Sequence, residues 1–207
     1  DIAIKFGYGG TSERAHERCL EDYFAASQRV RWFYLHAMRI LHDEQMELDL
    51  FQRGGPSRSH YTVYRGQLCA ASHDGKWFAE NPARLMEIFW ESTRRQAPLS
   101  YAARTWVTDN LHLAGDAFRT SPVTRRYFLA ICRRPNQAGG VFRQMAETGL
   151  LGAYLPEFGA VRGIVRYEDF HTYPVDEHTL RAVEALAAVP KMQGPIAGLL
   201  QKVLEHI

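Results

Sequence analysis

The feature that most constrains the fold is a long stretch without helix breakers near the N-terminus. From Thr11 or Ser12 to about Gln45 the chain contains no glycine or proline, and Gly9-Gly10 provides a break followed by capping hydroxyls. A helix over this stretch would be about 50 Å long, because each helical residue adds ~1.5 Å. The stretch therefore predicts one long helix that forms the spine of the protein.

Large apolar side chains recur along this helix at alternating intervals of four and three residues. That spacing places them on one side of the helix and predicts a single buried stripe. Other large residues beside the stripe indicate that the helix packs on several neighbours. The stripe consists of Cys19, Tyr23, Ala26, Val30, Phe33, Ala37 and Ile40.

The rest of the chain predicts shorter helices and one β-hairpin. Residues 60–64 and 67–70 flank the two-residue turn Arg65-Gly66, and we expect this hairpin to lie against the helical body. Caps and prolines predict helices at about 81–95, 100–113, 120–134 and 174–189 and from 195 onward. Gly139-Gly140 is expected to precede another, which ends at Thr148-Gly149. The predicted fold class is mainly α: a helical bundle with one long N-terminal helix and a small β-hairpin.

Composition excludes several classes of protein. The hydrophobic fraction of 46% is that of a folded globular chain, and a net charge of +2 gives no broad case for nucleic acid or an anionic membrane. No apolar run approaches the roughly 20 residues needed to cross a bilayer. The widely spaced Cys19, Cys69 and Cys132 fit neither a disulfide framework nor a paired metal motif, and they favour a reducing, cytoplasmic location.

The densest group of titratable and aromatic residues lies between Gly149 and Leu180. The turn residues Pro156, Gly159 and Gly163 interrupt this segment, and a new helix carrying His178 ends it. Side chains of these types form hydrated and metal-bound sites in proteins. From the residues alone, the segment is a polar cluster at a helix start; its members are Glu168, Asp169, His171, Asp176, Glu177 and His178.

Two motifs in this segment carry a family resemblance. Pro156-Glu157-Phe158-Gly159 and the later run FHTYPVDEHTL resemble the entry to the phosphohydrolase domain of bacterial protein-PII uridylyltransferase/uridylyl-removing enzymes. Only Pro174 departs from that family's run, standing where threonine is usual. The resemblance extends over nearly the whole chain, with a looser match in the N-terminal half.

The resemblance implies a division into two parts. Residues 1–155 would be the helical linker domain of a nucleotidyltransferase, and residues 156–207 would be the truncated N-terminal part of an HD-type phosphohydrolase domain. His178 corresponds to the first metal ligand of that family. An HD-type site also needs an adjacent His-Asp pair on a later helix, and none follows His178. We therefore expect an incomplete site, no cofactor in this chain and no catalytic residue within it.

The resemblance also implies what the parent enzyme does. Members of that family transfer a uridylyl group from UTP to the signal protein PII, remove it hydrolytically and require a divalent metal, Mg²⁺ or Mn²⁺. The first residue is Asp1 rather than methionine, so we expect a piece of a larger polypeptide. Its role would be to hold the transferase and hydrolase sites at a fixed distance in nitrogen signalling.

Two alternatives of other classes remain open. The chain could be an independent helical module that binds a partner through an exposed aromatic groove. It could also be a self-sufficient hydrolase that uses His171, His178 and nearby carboxylates, and His171 and Tyr173 could serve such a site. A reading frame that extends beyond both ends favours the linker, one that starts and stops here favours the module, and metal-dependent turnover would favour the hydrolase.

Other polar pairs have simpler interpretations. His42-Asp43 and His73-Asp74 precede His178, which is the wrong order for an HD-type site. Glu21 and Asp22 are adjacent on a helix and diverge by about 100°, whereas two-metal transfer needs carboxylates on one side of a strand. Paired arginines near helix ends favour solvated faces, with a surface for phosphate or an acidic partner as the alternative. These pairs are Arg94-Arg95, Arg125-Arg126 and Arg133-Arg134.

Overall fold

The long N-terminal helix is present and extends further than its pattern predicted. The computed structural model describes residues 2–52, 60–70, 76–165, 173–194 and 196–204, excepting the side chains of residues 32, 35, 36 and 38–52. Helix α1 spans Ile2–Lys5 and helix α2 spans Ser12–Gln52, past the expected end near Gln45. At ~1.5 Å per residue, the 41 residues of α2 reach about 60 Å.

The buried stripe predicted along α2 is wrong for most of its length. Ala15 is fully buried and Cys19 half-buried near the start of the helix. Further on, Tyr23, Val30 and Phe33 expose 62%, 68% and 68% of their surface. The described residues supply no surface that covers this part of the face, although the spacing itself is helical. Ile40, the last member of the stripe, lies outside the described side chains.

The β-hairpin is confirmed, and it lies against the helical body as predicted. Strand β1 (Tyr61–Tyr64) pairs antiparallel with β2 (Gln67–Ala70). Arg65 and Gly66 have φ values of 47° and 78°, as a two-residue turn of type I′ requires. Leu68 is fully buried, and its backbone N–H donates to Pro98 O at 2.7 Å. Strand β2 is thereby joined to the residues directly before the helix that begins at Tyr101.

Short helices follow the hairpin and enclose one hydrophobic core. Leu85, Ile88 and Phe89 occupy the centre of this core and are fully buried. The fold class is confirmed as mainly α with a small two-stranded sheet. The helices are α3 (Lys76–Glu80), α4 (Arg84–Arg95), α5 (Tyr101–Asp109), a 3₁₀ segment (Leu111–Leu113), α6 (Asp116–Thr120), α7 (Pro122–Cys132), α8 (Pro135–Glu147) and α9 (Leu150–Tyr154).

Two predicted helix starts are confirmed by capping bonds. Ser100 Oγ accepts from Ala103 N at 3.2 Å, and Ser121 Oγ accepts from Thr124 N at 3.4 Å ahead of the first-turn Pro122. The helix predicted to run from 100 to 113 is nevertheless split. Asn110 ends α5. Its side-chain amide donates to Trp106 O at 2.9 Å, and such local side-chain hydrogen bonds compete with continuation of a helix.

The sequence predicted that Gly139 and Gly140 precede a helix. In the structure both glycines lie inside a helix. Helix α8 begins at Pro135, whose fixed φ suits the first helical turn. The predicted end is confirmed, because Gly149 has a φ of 86° and is left-handed. The connector predicted from Gly149 to Tyr173 also contains helices, α9 and α10 (Pro156–Ala160).

The C-terminal part adds two helices and a 3₁₀ segment. Helix α11 spans Val175–Ala185, the 3₁₀ segment spans Leu186–Lys191 and α12 spans Ala197–Leu204. Leu180 of α11 belongs to the same hydrophobic core as α4 and α8. The predicted start of the last helix at Pro195 lies outside the described residues. No helix in the described part of the chain is long and apolar enough to cross a membrane.

Candidate functional site

His178 lies in the first turn of α11 and is exposed to solvent. Its backbone N–H donates to Pro174 O at 2.8 Å, so the helix begins directly after that proline. Pro174 has a ψ of 155° and cannot itself be part of the helix. The contacts that hold this first turn in place therefore also fix the position of the His178 backbone.

The connector holds the first turn of α11 from one side. Val175 N donates to Ile164 O at 3.0 Å, and the carboxylate of Asp176 accepts from Gly163 N at 3.2 Å. Asp176 is only 7% exposed, so this backbone bond takes the place of much of its hydration. The turn at Gly163 and the start of α11 thus form one hydrogen-bonded unit.

Arg143 of α8 holds α11 from the other side. Its guanidinium donates to both oxygens of Glu177, at 2.8 and 3.3 Å, and to both oxygens of Glu184, at 2.5 and 3.0 Å. The two glutamates are seven residues apart, about two turns along one side of α11. A planar guanidinium can bind two carboxylates in this forked manner, whereas a lysine ammonium cannot. The three side chains therefore connect α8 with α11 at two points.

These contacts also affect proton affinities. The hydrogen bonds that Arg143 donates to Glu184 and Glu177 raise its pKa, so its positive charge persists at any physiological pH. Burial raises the pKa of Glu177, but hydrogen bonds from Arg143 and Arg181 outweigh burial and leave that pKa below its usual value. Arg143 and Glu177 are therefore both charged near neutral pH.

The backbones of α8 and α11 approach closely at Gly139. A Cβ atom at this position would lie 2.7 Å from Glu184 Cα, which is closer than packing allows. A Cβ atom at Gly140, the next residue, would meet no atom within 4 Å. This close approach, the buried Leu180 of α11 and the Arg143 network together define what we call the α8–α11 seam. Sequence reasoning missed the seam because it interpreted both glycines as a helix break.

A polar cleft of about 140 Å³ lies next to the seam. Its charged groups largely pair with one another: Arg31 of α2 donates to Glu147 at 2.6 Å, and Arg143 holds Glu177. His178 is not among the residues that line it. The cleft therefore joins α2 to the seam through ion pairs, and its charges are largely compensated.

The described residues do not supply a complete metal site around His178. Across residues 2–52, 60–70, 76–165, 173–194 and 196–204, no three His, Cys, Asp or Glu side chains come together in a way that could hold a metal ion. The described residues by themselves thus do not fit a metal ion. Predicted neighbours Glu168, Asp169 and His171 lie outside the described residues.

Several of the remaining candidates have local structural partners or are not described. Arg181 lies over the Tyr173 ring at 4.0 Å. Asp22 accepts a hydrogen bond from the Tyr8 hydroxyl at 2.8 Å, which contributes to a raised Tyr8 pKa. Arg94 and Arg95 both bind Glu91. His73-Asp74 and the side chains of His42-Asp43 lie outside the described residues.

The chain is similar to a well-defined group of known proteins. Residues 61–154 match the family model described as the uridylyltransferase GlnD third domain. A bifunctional uridylyltransferase/uridylyl-removing enzyme of Methylococcus capsulatus is 34% identical over 189 residues, which are 90% of this chain and 21% of the relative. The enzyme of that name from Cereibacter sphaeroides is 28% identical over 197 residues, covering 92% of this chain and 21% of the relative.

The matched region is a small part of these relatives. The chain spans about a fifth of the length of the two relatives described above. A third relative with the same name, from Hydrogenovibrio crunogenus, is 37% identical over 112 residues, which are 53% of this chain and 13% of the relative. No solved structure matches the chain.

Proposed function

The chain belongs to the family of bifunctional uridylyltransferase/uridylyl-removing enzymes, and from this premise we propose that it is the rigid scaffold between the two active sites of such an enzyme. In this proposal residues 1–155 are the helical linker and residues 156–207 begin the hydrolase domain. The parent enzyme would work in the cytoplasm on the signal protein PII, with UTP as the uridylyl donor and a divalent metal, Mg²⁺ or Mn²⁺. His178 would be the first ligand of that metal.

The α8–α11 seam is the observation that supports this proposal most strongly. A scaffold between two sites needs its parts to keep a fixed relative position, because displacement of a catalytic group by about 1 Å can cost on the order of 100-fold in rate. The seam joins a helix of the proposed linker to the helix that carries His178. It does so through a close backbone approach, a buried leucine and a doubly forked guanidinium. His178 is thereby held in a fixed position relative to the core of the linker.

A matched pair of glycine substitutions in the full-length enzyme tests the scaffold. Gly139→Ala places a methyl group against the backbone of Glu184 and should displace α11, whereas Gly140→Ala enters open space. We expect Gly139→Ala to lower the rate of uridylyl removal by on the order of 10-fold or more, and Gly140→Ala to leave it within about twofold. Release of UMP from uridylylated PII measures this rate. Equal rates for the two variants would refute the scaffold role.

The proposed ligand role of His178 has its own test. His178→Ala in the full-length enzyme should weaken Mn²⁺ binding, measured by isothermal titration calorimetry, while His112→Ala, a substitution in the linker, should leave it unchanged. Unchanged Mn²⁺ affinity in the His178 variant would refute the assignment. Phosphodiester turnover by the purified 207-residue chain with Mn²⁺ would instead support the self-sufficient hydrolase.

One observation favours the alternative of an independent interaction module. The apolar side chains of Tyr23, Val30 and Phe33 on α2 are exposed, as a docking surface for another protein would be. The scaffold and module hypotheses make different predictions about the gene. A reading frame that continues into a helix bearing a His-Asp pair supports the scaffold, and a frame confined to these residues supports the module.

A further inference from the structure

The region around α7 has an unusual charge distribution. Between Asp116 and Glu147 the sequence contains no aspartate, glutamate or lysine but six arginines. The chain as a whole carries a net charge of only +2, so the positive charge here is a local property. The six are Arg119, Arg125, Arg126, Arg133, Arg134 and Arg143.

Two of these arginines are neutralised within the structure and four are not. Arg119 pairs with Asp116, and Arg143 pairs with Glu177 and Glu184. The other four, which lie on α7 or directly after it, are exposed and have no carboxylate within 4 Å in the described part of the chain. Arg126 lies over the Tyr127 ring and Arg134 over the Trp90 ring, at 5.6 and 4.7 Å from the ring centroids.

Three of these four arginines surround an exposed leucine. Arg125, Leu129 and Arg133 are each four residues apart, and Arg126 is three residues before Leu129, so all four share one side of α7. Leu129 is 39% exposed. The opposite side of the helix is buried, with Thr124 and Ile131 fully inaccessible. We call this outward side, consisting of Arg125, Arg126, Leu129 and Arg133, the basic face of α7.

The composition of the basic face matches that of a protein-binding surface. Arginine is enriched and lysine depleted at protein interfaces, and the strongest contacts there combine an apolar centre with surrounding polar groups. Guanidinium groups bind carboxylates through paired hydrogen bonds. An acidic partner would also relieve the mutual repulsion of the arginines. A nucleic acid is less well suited, because its bases would find no exposed aromatic ring for stacking among these residues.

We propose that the basic face of α7 binds an acidic protein segment that presents carboxylates around an apolar side chain. The carboxylates pair with Arg125, Arg126 and Arg133, and the apolar side chain covers Leu129. The surface lies on a different helix from His178 and from the α8–α11 seam. This inference therefore does not depend on the proposed scaffold role.

Fluorescence anisotropy of the 207-residue chain with model peptides tests the inference. The probe is a fluorescein-labelled helical peptide of Glu-Glu-Leu-Ala repeats, compared with Glu-Glu-Ser-Ala repeats of the same length. Arg125→Glu/Arg133→Glu should weaken binding of the leucine-containing peptide by about tenfold or more, and Leu129→Ser by about fivefold. The serine-containing peptide should bind the wild-type chain more weakly and should not distinguish Leu129→Ser from it.

A matched control distinguishes binding by the basic face of α7 from a general effect of net charge. Arg14 and Arg18 on α2 are exposed and four residues apart, so Arg14→Glu/Arg18→Glu changes the net charge equally. This control should keep binding within about twofold of wild type. The proposal is overturned if the control loses as much affinity as the α7 variant, or if the wild-type chain does not bind the peptide. It is also overturned if a single-stranded RNA or a vesicle containing phosphatidylserine binds more tightly through Arg125 and Arg133.

Discussion

The helical body and the long helix α2 both carry apolar side chains at helical spacing, but these side chains have opposite environments. In α4, Leu85, Ile88 and Phe89 are fully buried. In α2, Tyr23 and Phe33 follow the same kind of spacing and are more than half exposed. A periodic pattern identifies a helix and the side of it that is apolar. What covers that side depends on which surfaces the rest of the fold brings there.

The largest expected effect comes from truncating one phenylalanine in each region. Phe89→Ala removes a fully buried ring from the core and should lower the free energy of unfolding by about 3–5 kcal/mol. Phe33→Ala on α2 removes a ring that is 68% exposed and should change it by about 0.5 kcal/mol or less. Urea denaturation of the 207-residue chain measures both. Comparable losses would mean that the stripe on α2 is covered in solution.

A smaller effect is expected at Arg143, where the body meets α11. Arg143→Gln removes the charged partner of Glu184 and one of the two arginines that pair with Glu177, and it should cost about 1–2 kcal/mol at pH 7. Because the pKa of Glu177 is lowered in the folded state, its contribution is present above its unfolded value of about 4.3 and is lost as pH falls through the folded pKa.

The difference between wild type and this variant should therefore shrink below about pH 4. Urea denaturation at a series of pH values measures it. Arg143→Lys keeps the charge but not the fork, and it should restore only part of the stability. A difference that does not change with pH would show that the loss comes from packing rather than from the ion pairs.

The smallest effect is expected at the ion pair that joins α2 to the body. Arg31 is 57% exposed and donates to Glu147 at 2.6 Å, so Arg31→Ala should cost about 0.2–1 kcal/mol. The loss should diminish in high salt, because exposed pairs are screened. Thermal denaturation at low and high sodium chloride measures both points. A loss as large as that of Phe89→Ala would mean that α2 is an integral part of the folded core.

Much of the local structure was predictable because local residues determine it. The hairpin follows from Arg65-Gly66, which adopt the positive φ values of its turn. The starts of α5 and α7 follow from the hydroxyls of Ser100 and Ser121. Predicted helix boundaries were wrong where a residue lies in an element that its type usually disfavours, such as glycine inside a helix. Gly139 lies within α8 because a later helix needs the space that its missing side chain leaves.

The candidate site was predictable in its position along the chain but not in its contacts. The motif from His171 to Leu180 located His178 near the start of a helix, and the structure places it in the first turn of α11. Nothing in the sequence linked Arg143 with Glu177 and Glu184, since the residues are 34 and 41 positions apart. Such a network can be recognised only after two helices have been placed side by side.

The sequence by itself determined the position of most helices, the hairpin and the family resemblance, because hydrophobic spacing, caps and motifs are properties of neighbouring residues. The tertiary structure alone decided which apolar faces are covered, why Gly139 must lack a side chain and which arginines find carboxylates. These depend on residues distant in the chain that meet only when the core forms. Arg143 is neutralised by α11, whereas the arginines of α7 face solvent, and that difference follows from packing rather than from residue type.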